Sequence, residues 1–187
     1  MSLKKIVCLG DSLTEGYDID LDNRWTNRLE NKLNIPIINK GISGDLTSGM
    51  LARFQQDVVA LEPTHLILMG GTNDINFDLQ NNLIIGNIKT MIRQAKFYNI
   101  SSIIGIPTPC FLSHTEGSGV FIGKSRFISR IDEYISKLTD FAITDEQLFI
   151  DFGNEMNQDM FLPDGVHPND LAQEVLAKNA FTFLSKL

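Results

Sequence analysis

The sequence is short of cysteine, of long apolar runs and of basic clusters, and each shortage removes a class of protein. Its two cysteines, Cys8 and Cys110, supply neither a disulfide framework nor a metal knuckle. Cys8 lies in an apolar run and reads as a small core residue. No apolar stretch reaches 18 residues, so no helix is expected to cross a membrane. Lys and Arg total 16 against 23 Asp and Glu, a net charge of -7, and no basic stripe offers itself to a nucleic acid. The run Ile6-Val7-Cys8-Leu9 is too short for a signal-peptide core and leads straight into Gly10-Asp11. It therefore reads as a first strand, and the chain as cytoplasmic. Internal repeats, linkers and low-complexity tracts are absent. The expectation is one domain, 1–187, able to bury about two-thirds of its unfolded surface.

What is present is an alternation of short β-rich runs and amphipathic stretches. Strands are expected over 5–9, 36–39, 64–69, 101–106 and 147–150. Helices are expected over 25–33, 46–61 and 79–98, then around Phe127, Ile131, Tyr134, Ile135 and Leu138. A last one begins at or after Pro168, with Leu171, Val175, Leu176 and Phe183 recurring at helical spacing. The Gly-, Ser- and Thr-rich stretch 112–123 has no periodicity and reads as a loop. Strands alternating with helices predict an α/β sandwich around a five-stranded parallel sheet. Ligands of such folds gather beyond the carboxyl ends of the strands. Ser12, Gly44, Asn73, the stretch 107–123, and Asp164 with His167 each follow one of the five strands, so all fall on one rim.

These residues suit acyl transfer. A serine hydroxyl is a poor nucleophile until a base removes its proton, and an imidazole titrates near neutral pH. Asp164, three residues before His167, can reach Nδ1 and leave Nε2 facing Ser12. The plainer reading is a loop carboxylate capping its own backbone beside a surface histidine. The Ser12 and Gly44 N–H groups and the Asn73 amide are candidate donors to a tetrahedral oxyanion; Gly44 lacks a Cβ that would hold substrate away. Taken alone, Gly44 is equally a turn residue and Asn73 an Asx-turn. Asp11, beside the nucleophile, could serve as the orienting acid, but like Asp45 and Asp74 it reads rather as a local carboxylate accepting backbone N–H groups. The three could be imagined with Asp164 and His167 as metal ligands, but the set lacks a metal signature and leaves Ser12 without a role. His65 reads as structural, and His114 as a loop residue able to touch substrate.

Four blocks carry a resemblance: Gly10-Asp11-Ser12-Leu13-Thr14-Glu15-Gly16, Asn39-Lys40-Gly41-Ile42-Ser43-Gly44-Asp45, Gly70-Gly71-Thr72-Asn73-Asp74 and Asp164-Gly165-Val166-His167-Pro168. In this order they resemble the GDSL-type lipase/acylhydrolase, or SGNH hydrolase, family. Trp25, Gly49-Met50-Leu51-Ala52-Arg53 and Pro168-Asn169 are most similar to its small bacterial thioesterase I/lysophospholipase L1-like esterases. The resemblance implies a flavodoxin-like, three-layer α/β/α fold. It implies Ser12 as nucleophile, Gly44 and Asn73 as oxyanion donors with Ser12, and His167 with Asp164 as base and orienting acid. It places substrate contacts at Ile75, Phe77, Pro109, Cys110, Phe111 and Leu112, with Val166 a further candidate. The implied activity is serine-dependent hydrolysis of small-molecule carboxylic esters or thioesters through an acyl-enzyme, with a carbohydrate O-acetyl esterase as the alternative. No metal or cofactor is implied, and a homodimer is left open.

Overall fold

The computed structural model describes residues 3–112 and 122–187. Its five strands are β1 (Ile6–Gly10), β2 (Ile37–Gly41), β3 (His65–Met69), β4 (Ser101–Ile106) and β5 (Leu148–Asp151). They form one parallel sheet in the order β2-β1-β3-β4-β5. The chain steps outward from β1 to β2 and then returns past β1 to β3. A crevice opens where connections diverge in this way, beyond the carboxyl ends of β1 and β3.

The helices are α1 (Ser12–Glu15), α2 (Trp25–Leu33), α3 (Thr47–Ala52), α4 (Phe54–Asp57), α5 (Thr72–Asn76), α6 (Asn81–Phe97), α7 (Lys124–Thr144) and α8 (Asp170–Leu184). Short 3-10 turns lie at Leu21–Asn23, Val59–Leu61 and Gln158–Met160. All five residues of β1 are buried, because both faces of a parallel sheet are covered. Val7 and Leu9 enter a core built with α3, α4, α6 and α7, whereas Ile6 and Cys8 enter a second core with α2 and α8. Alternate residues of a strand point to opposite faces, so these two cores define the three layers. Cys8 is fully buried in the second core, as expected of a small apolar residue.

The expected helix over 46–61 is broken into α3, α4 and a 3-10 turn. The backbone leaves helical geometry at Arg53 (φ -97°, ψ 4°) and again at Val58 (φ -122°, ψ -65°). Apolar spacing survives the breaks, since Met50, Phe54 and Val58 are all buried, which is why periodicity alone did not reveal them. Leu83 and Leu171 fit helical stripes by spacing but stand exposed. Two helices too short to show a period, α1 and α5, were missed, and they carry Ser12 and Asn73. Most of the loop expected over 112–123, His114 included, lies outside the described residues.

Candidate active site

β1 delivers Ser12 to the rim and Asp11 starts the helix that holds it. Asp11 is the N-cap of α1, its Oδ1 accepting the Leu13 N–H at 2.9 Å. Its carboxyl is fully buried and pushed up to about 7, chiefly by desolvation and then, against the Leu13 hydrogen bond, by the neighbouring Asp74 and Asp45 charges. Gly16 closes α1 in the left-handed region, and the Ser12 carbonyl accepts both the Gly16 N–H at 3.0 Å and the Tyr17 N–H at 3.2 Å. The Trp25 indole N–H donates to the Leu13 carbonyl at 3.1 Å, while the Trp25 backbone N–H donates to Gln173 of α8 at 2.9 Å. The serine turn is thereby tied to two helices behind the sheet.

The second part of the site is the loop from Phe161 to Pro168, which pair in an antiparallel bridge. Asp164 Oδ1 accepts the backbone N–H groups of Val166 and His167, at 2.9 and 3.0 Å. Its Oδ2 faces His167 Nδ1 at 2.6 Å, and His167 Nε2 lies 3.0 Å from Ser12 Oγ. Partial burial opposes ionisation of Asp164, but hydrogen bonds from the His167 ring and from the two backbone N–H groups outweigh it and lower its pKa. Gly165 has φ +70°, and its carbonyl accepts the Phe111 N–H at 2.7 Å. A Cβ there would lie 2.1 Å from the Phe111 carbonyl oxygen, so this turn needs glycine for conformation and for space. Asp164 thus both caps its own loop and faces the imidazole, and the two readings drawn from the sequence coexist.

A cleft of about 260 Å³ joins the parts, and Ser12, Gly44, Asn73, Asp164 and His167 all line it. Asn73 Nδ2 donates to the Asp45 carbonyl at 3.0 Å, which uses one of its two amide hydrogens. Gly44 has φ +80°, yet a Cβ built on it meets nothing within 4 Å. Its conformation calls for glycine, and the space beside it, where Gly44 lines the cleft, is clear of other protein atoms. Asp45 binds the Arg53 guanidinium at 2.8 Å, and Asp74 accepts the Thr47 N–H at 2.9 Å from 27 residues away. Asp11 and Asp74 thus accept backbone N–H groups as expected, Asp74 from a distant turn rather than its own, whereas Asp45 is engaged by a guanidinium instead. Burial raises the Asp74 carboxyl against its hydrogen bonds from Thr47. Among the described residues no three His, Cys, Asp or Glu side chains form a group able to hold a metal ion.

Of the expected substrate contacts, Val166 is among the residues that line the cleft. Ile75 is fully buried in the core, and Cys110 is buried with its thiol pushed up to about 12 by desolvation and nearby carboxylates. Phe77 is exposed, Pro109 packs near Gly153, Phe111 meets the Phe161 ring at a tilt of 58°, and Leu112 packs on the first core. Apolar character predicts burial as readily as substrate contact, and burial accounts for several of these. His65 is buried at the start of β3, away from the cleft. Tyr17, Asn76 and Phe127 line the cleft without having been singled out. For Tyr17 a signal existed: Gly16 ends the serine turn, so the next side chain is aimed by the same cap.

A model of the GDSL-like Lipase/Acylhydrolase family matches residues 8–175. The chain is similar to an arylesterase of Vibrio mimicus, 32% identical over 98 residues that cover 50% of this chain and 49% of that protein. The chain thus spans about half the length of that relative. It is also similar to an acetylxylan esterase of Geobacillus stearothermophilus, 25% identical over 159 residues that cover 79% of this chain and 71% of that one. Its fold matches a crystal structure of a member of the lipolytic protein G-D-S-L family from Veillonella parvula, with a TM-score of 0.80 and 24% identity over 98% of this chain and 100% of that chain.

Proposed function

The chain belongs to the GDSL-like lipase/acylhydrolase family, and from that premise we propose that it acts as one domain hydrolysing small carboxylic esters or thioesters through an acyl-Ser12 intermediate. The observation that carries the proposal is the unbroken relay from Asp164 Oδ2 to His167 Nδ1 and from His167 Nε2 to Ser12 Oγ, at 2.6 and 3.0 Å. The carboxylate holds the imidazole as the tautomer with its proton on Nδ1, leaving Nε2 to accept. Ser12 Oγ attacks the carbonyl carbon while its proton passes to His167. The developing oxyanion is met by the Ser12 and Gly44 N–H groups and the second Asn73 amide hydrogen. Collapse breaks the bond to the leaving alcohol or thiol, which takes the proton from His167. Water then gives a proton to the same imidazole and attacks the acyl carbon; the acyl–Oγ bond breaks, Ser12 Oγ takes the proton back from His167, and the acid is freed.

A second reading, a carbohydrate O-acetyl esterase, is favoured by two observations. The cleft is small, and the hydrogen-bonding side chains of Ser43, Thr72 and Asn76 stand beside the reacting groups. The likeness to an acetylxylan esterase also runs over 79% of the chain. The two readings share the catalytic groups and differ in what leaves.

Initial rates of the protein and of Ser12→Ala across p-nitrophenyl esters of graded acyl length, acyl-CoA thioesters, a lysophospholipid and acetylated sugars separate them. Turnover abolished by Ser12→Ala supports the serine mechanism. Fast deacetylation of sugars with little activity on longer esters selects the second reading, and thioester or lysophospholipid turnover the thioesterase I/lysophospholipase L1-like one. Activity that survives in Ser12→Ala overturns the assignment of the nucleophile.

A further inference from the structure

Arg53 stands at the break between α3 and α4, its side chain only 15% exposed, and its guanidinium meets three elements. Nε donates to Asp45 Oδ2 at 2.8 Å, Nη1 to Asp57 Oδ2 at 2.8 Å, and Nη2 to the Gly10 carbonyl at 3.0 Å. Each contact leads toward a proposed oxyanion donor or anchors the group that does. Gly10 lies two residues before Ser12, and its carbonyl also accepts the Ile42 N–H from the turn that bears Gly44, at 3.1 Å. Asp45 follows Gly44, and its carbonyl holds Asn73 Nδ2 at 3.0 Å. Asp57 is in turn gripped by Lys40 at 3.0 Å. Hydrogen bonds from Arg53 and Lys40 overcome the cost of its burial and keep its carboxyl below the ordinary range.

We infer that Arg53 is a positioning residue that sets the relative placement of the three oxyanion donors; the inference rests on the hydrolase reading of Ser12 and His167. The local sequence is arranged around this contact. Gly49, inside α3, leaves room for the Asp45 carboxylate, because a Cβ there would sit 1.9 Å from Asp45 Oδ1. A glycine inside a helix weakens it, so the space has a structural cost. The break at Arg53 lets one side chain reach the end of β1 and the following turn. A planar guanidinium can serve three acceptors in fixed directions, which the point charge of a lysine cannot. The donors meet full negative charge only in the transition state. Loss of their alignment therefore slows the chemical step and leaves ground-state binding nearly unchanged.

The test compares wild type, Arg53→Lys, Arg53→Met and Asp45→Asn, with folding checked by circular dichroism. It reads kcat and KM on p-nitrophenyl acetate, the pH profile of kcat, and inhibition by an alkyl trifluoromethyl ketone, whose serine adduct carries the oxyanion. Expected for both Arg53 variants is a fall in kcat of about 10–100-fold, with KM within about twofold. The inhibitor should weaken by the same factor, and the pH profile should keep its shape. Asp45→Asn weakens one arm only and should lose about 5–20-fold in the same two quantities; it decides the matter if the Arg53 variants do not fold. Folded variants with kcat within twofold of wild type overturn the inference, as does a loss confined to KM or a changed pH profile. Wild type inert on every ester of the panel overturns the hydrolase reading itself.

Discussion

Asp11 and Asp164 both bear on Ser12, the proposed nucleophile, one through the backbone before it and the other through an imidazole, but the two regions treat a carboxylate in opposite ways. The turn after β1 encloses Asp11 completely and gives Oδ1 one backbone N–H, while Oδ2 has no hydrogen-bond partner among the described residues. Desolvation wins there, and the group is pushed up to about 7. The Phe161–Pro168 loop leaves Asp164 partly exposed and supplies two backbone N–H groups and an imidazole, so hydrogen bonding wins and the carboxyl is lowered. Adjacency in sequence to the proposed nucleophile is therefore a poor guide to which carboxylate reaches the imidazole. The count of donors and the depth of burial separate the two roles.

The largest effect expected from this contrast is in Asp164→Asn. The variant keeps an oxygen for the Val166 and His167 backbone N–H groups, so the loop should hold. Its amide facing Nδ1 favours the wrong imidazole tautomer, and kcat should fall about 10³–10⁴-fold with little change in KM. Asp164 also links stability to acid. Because its folded pKa is depressed, its contribution is present above the unfolded value of about 4 and is lost as pH falls through the folded value. Urea unfolding from pH 7 down to 3 should show a loss in wild type that is smaller in Asp164→Asn. A kcat within tenfold of wild type would move the orienting role to another residue.

The next effect runs the other way. Asp11 is raised when folded, so between about pH 4 and 7 the folded protein holds a proton that the unfolded chain has released. Its contribution favours folding below about pH 4 and declines as pH rises through that window, by an amount on the order of a few kcal/mol. Asp11→Asn keeps a capping oxygen for Leu13 and cannot ionise. Urea unfolding at pH 5 and 8 should show a smaller decline between the two in Asp11→Asn than in wild type. Kinetically it should be far milder than Asp164→Asn. A larger loss of kcat than in Asp164→Asn would reverse the comparison between the two regions.

The sheet, the rim and the residues now brought together were legible because strands are short, apolar and followed at once by their functional residue. Ile6 to Gly10 could hardly be read otherwise, and Ser12 follows from it. What escaped had no period to show. α1 and α5 are single turns held by caps and tertiary bonds, and the break at Arg53 is invisible while Phe54 stays buried on the expected side. Substrate contacts were harder still. Ile75 and Cys110 are apolar residues near functional blocks, and the structure buries both. Tyr17 and Asn76 reach the cleft because short helices end where they do, a fact of geometry rather than composition.

Tyr17 gives the smallest of these effects and the one that joins the two regions. Its ring stands 4.3 Å from the His167 ring at an interplanar angle of 31°, while its backbone N–H is tied to the Ser12 carbonyl. An aromatic face beside the imidazole favours the cation that forms when Ser12 gives up its proton, a term of about 0.5–1 kcal/mol at a partly exposed site. Tyr17→Leu should therefore lower kcat about two- to fivefold, and Tyr17→Phe, which keeps the face, should stay close to wild type. If Tyr17→Phe falls as far as Tyr17→Leu, the hydroxyl rather than the ring is the contributing group, and Tyr17 belongs with the polar wall formed by Ser43, Thr72 and Asn76. If neither changes kcat but both raise KM, the ring contacts substrate alone, and the base loop works without support from the serine turn.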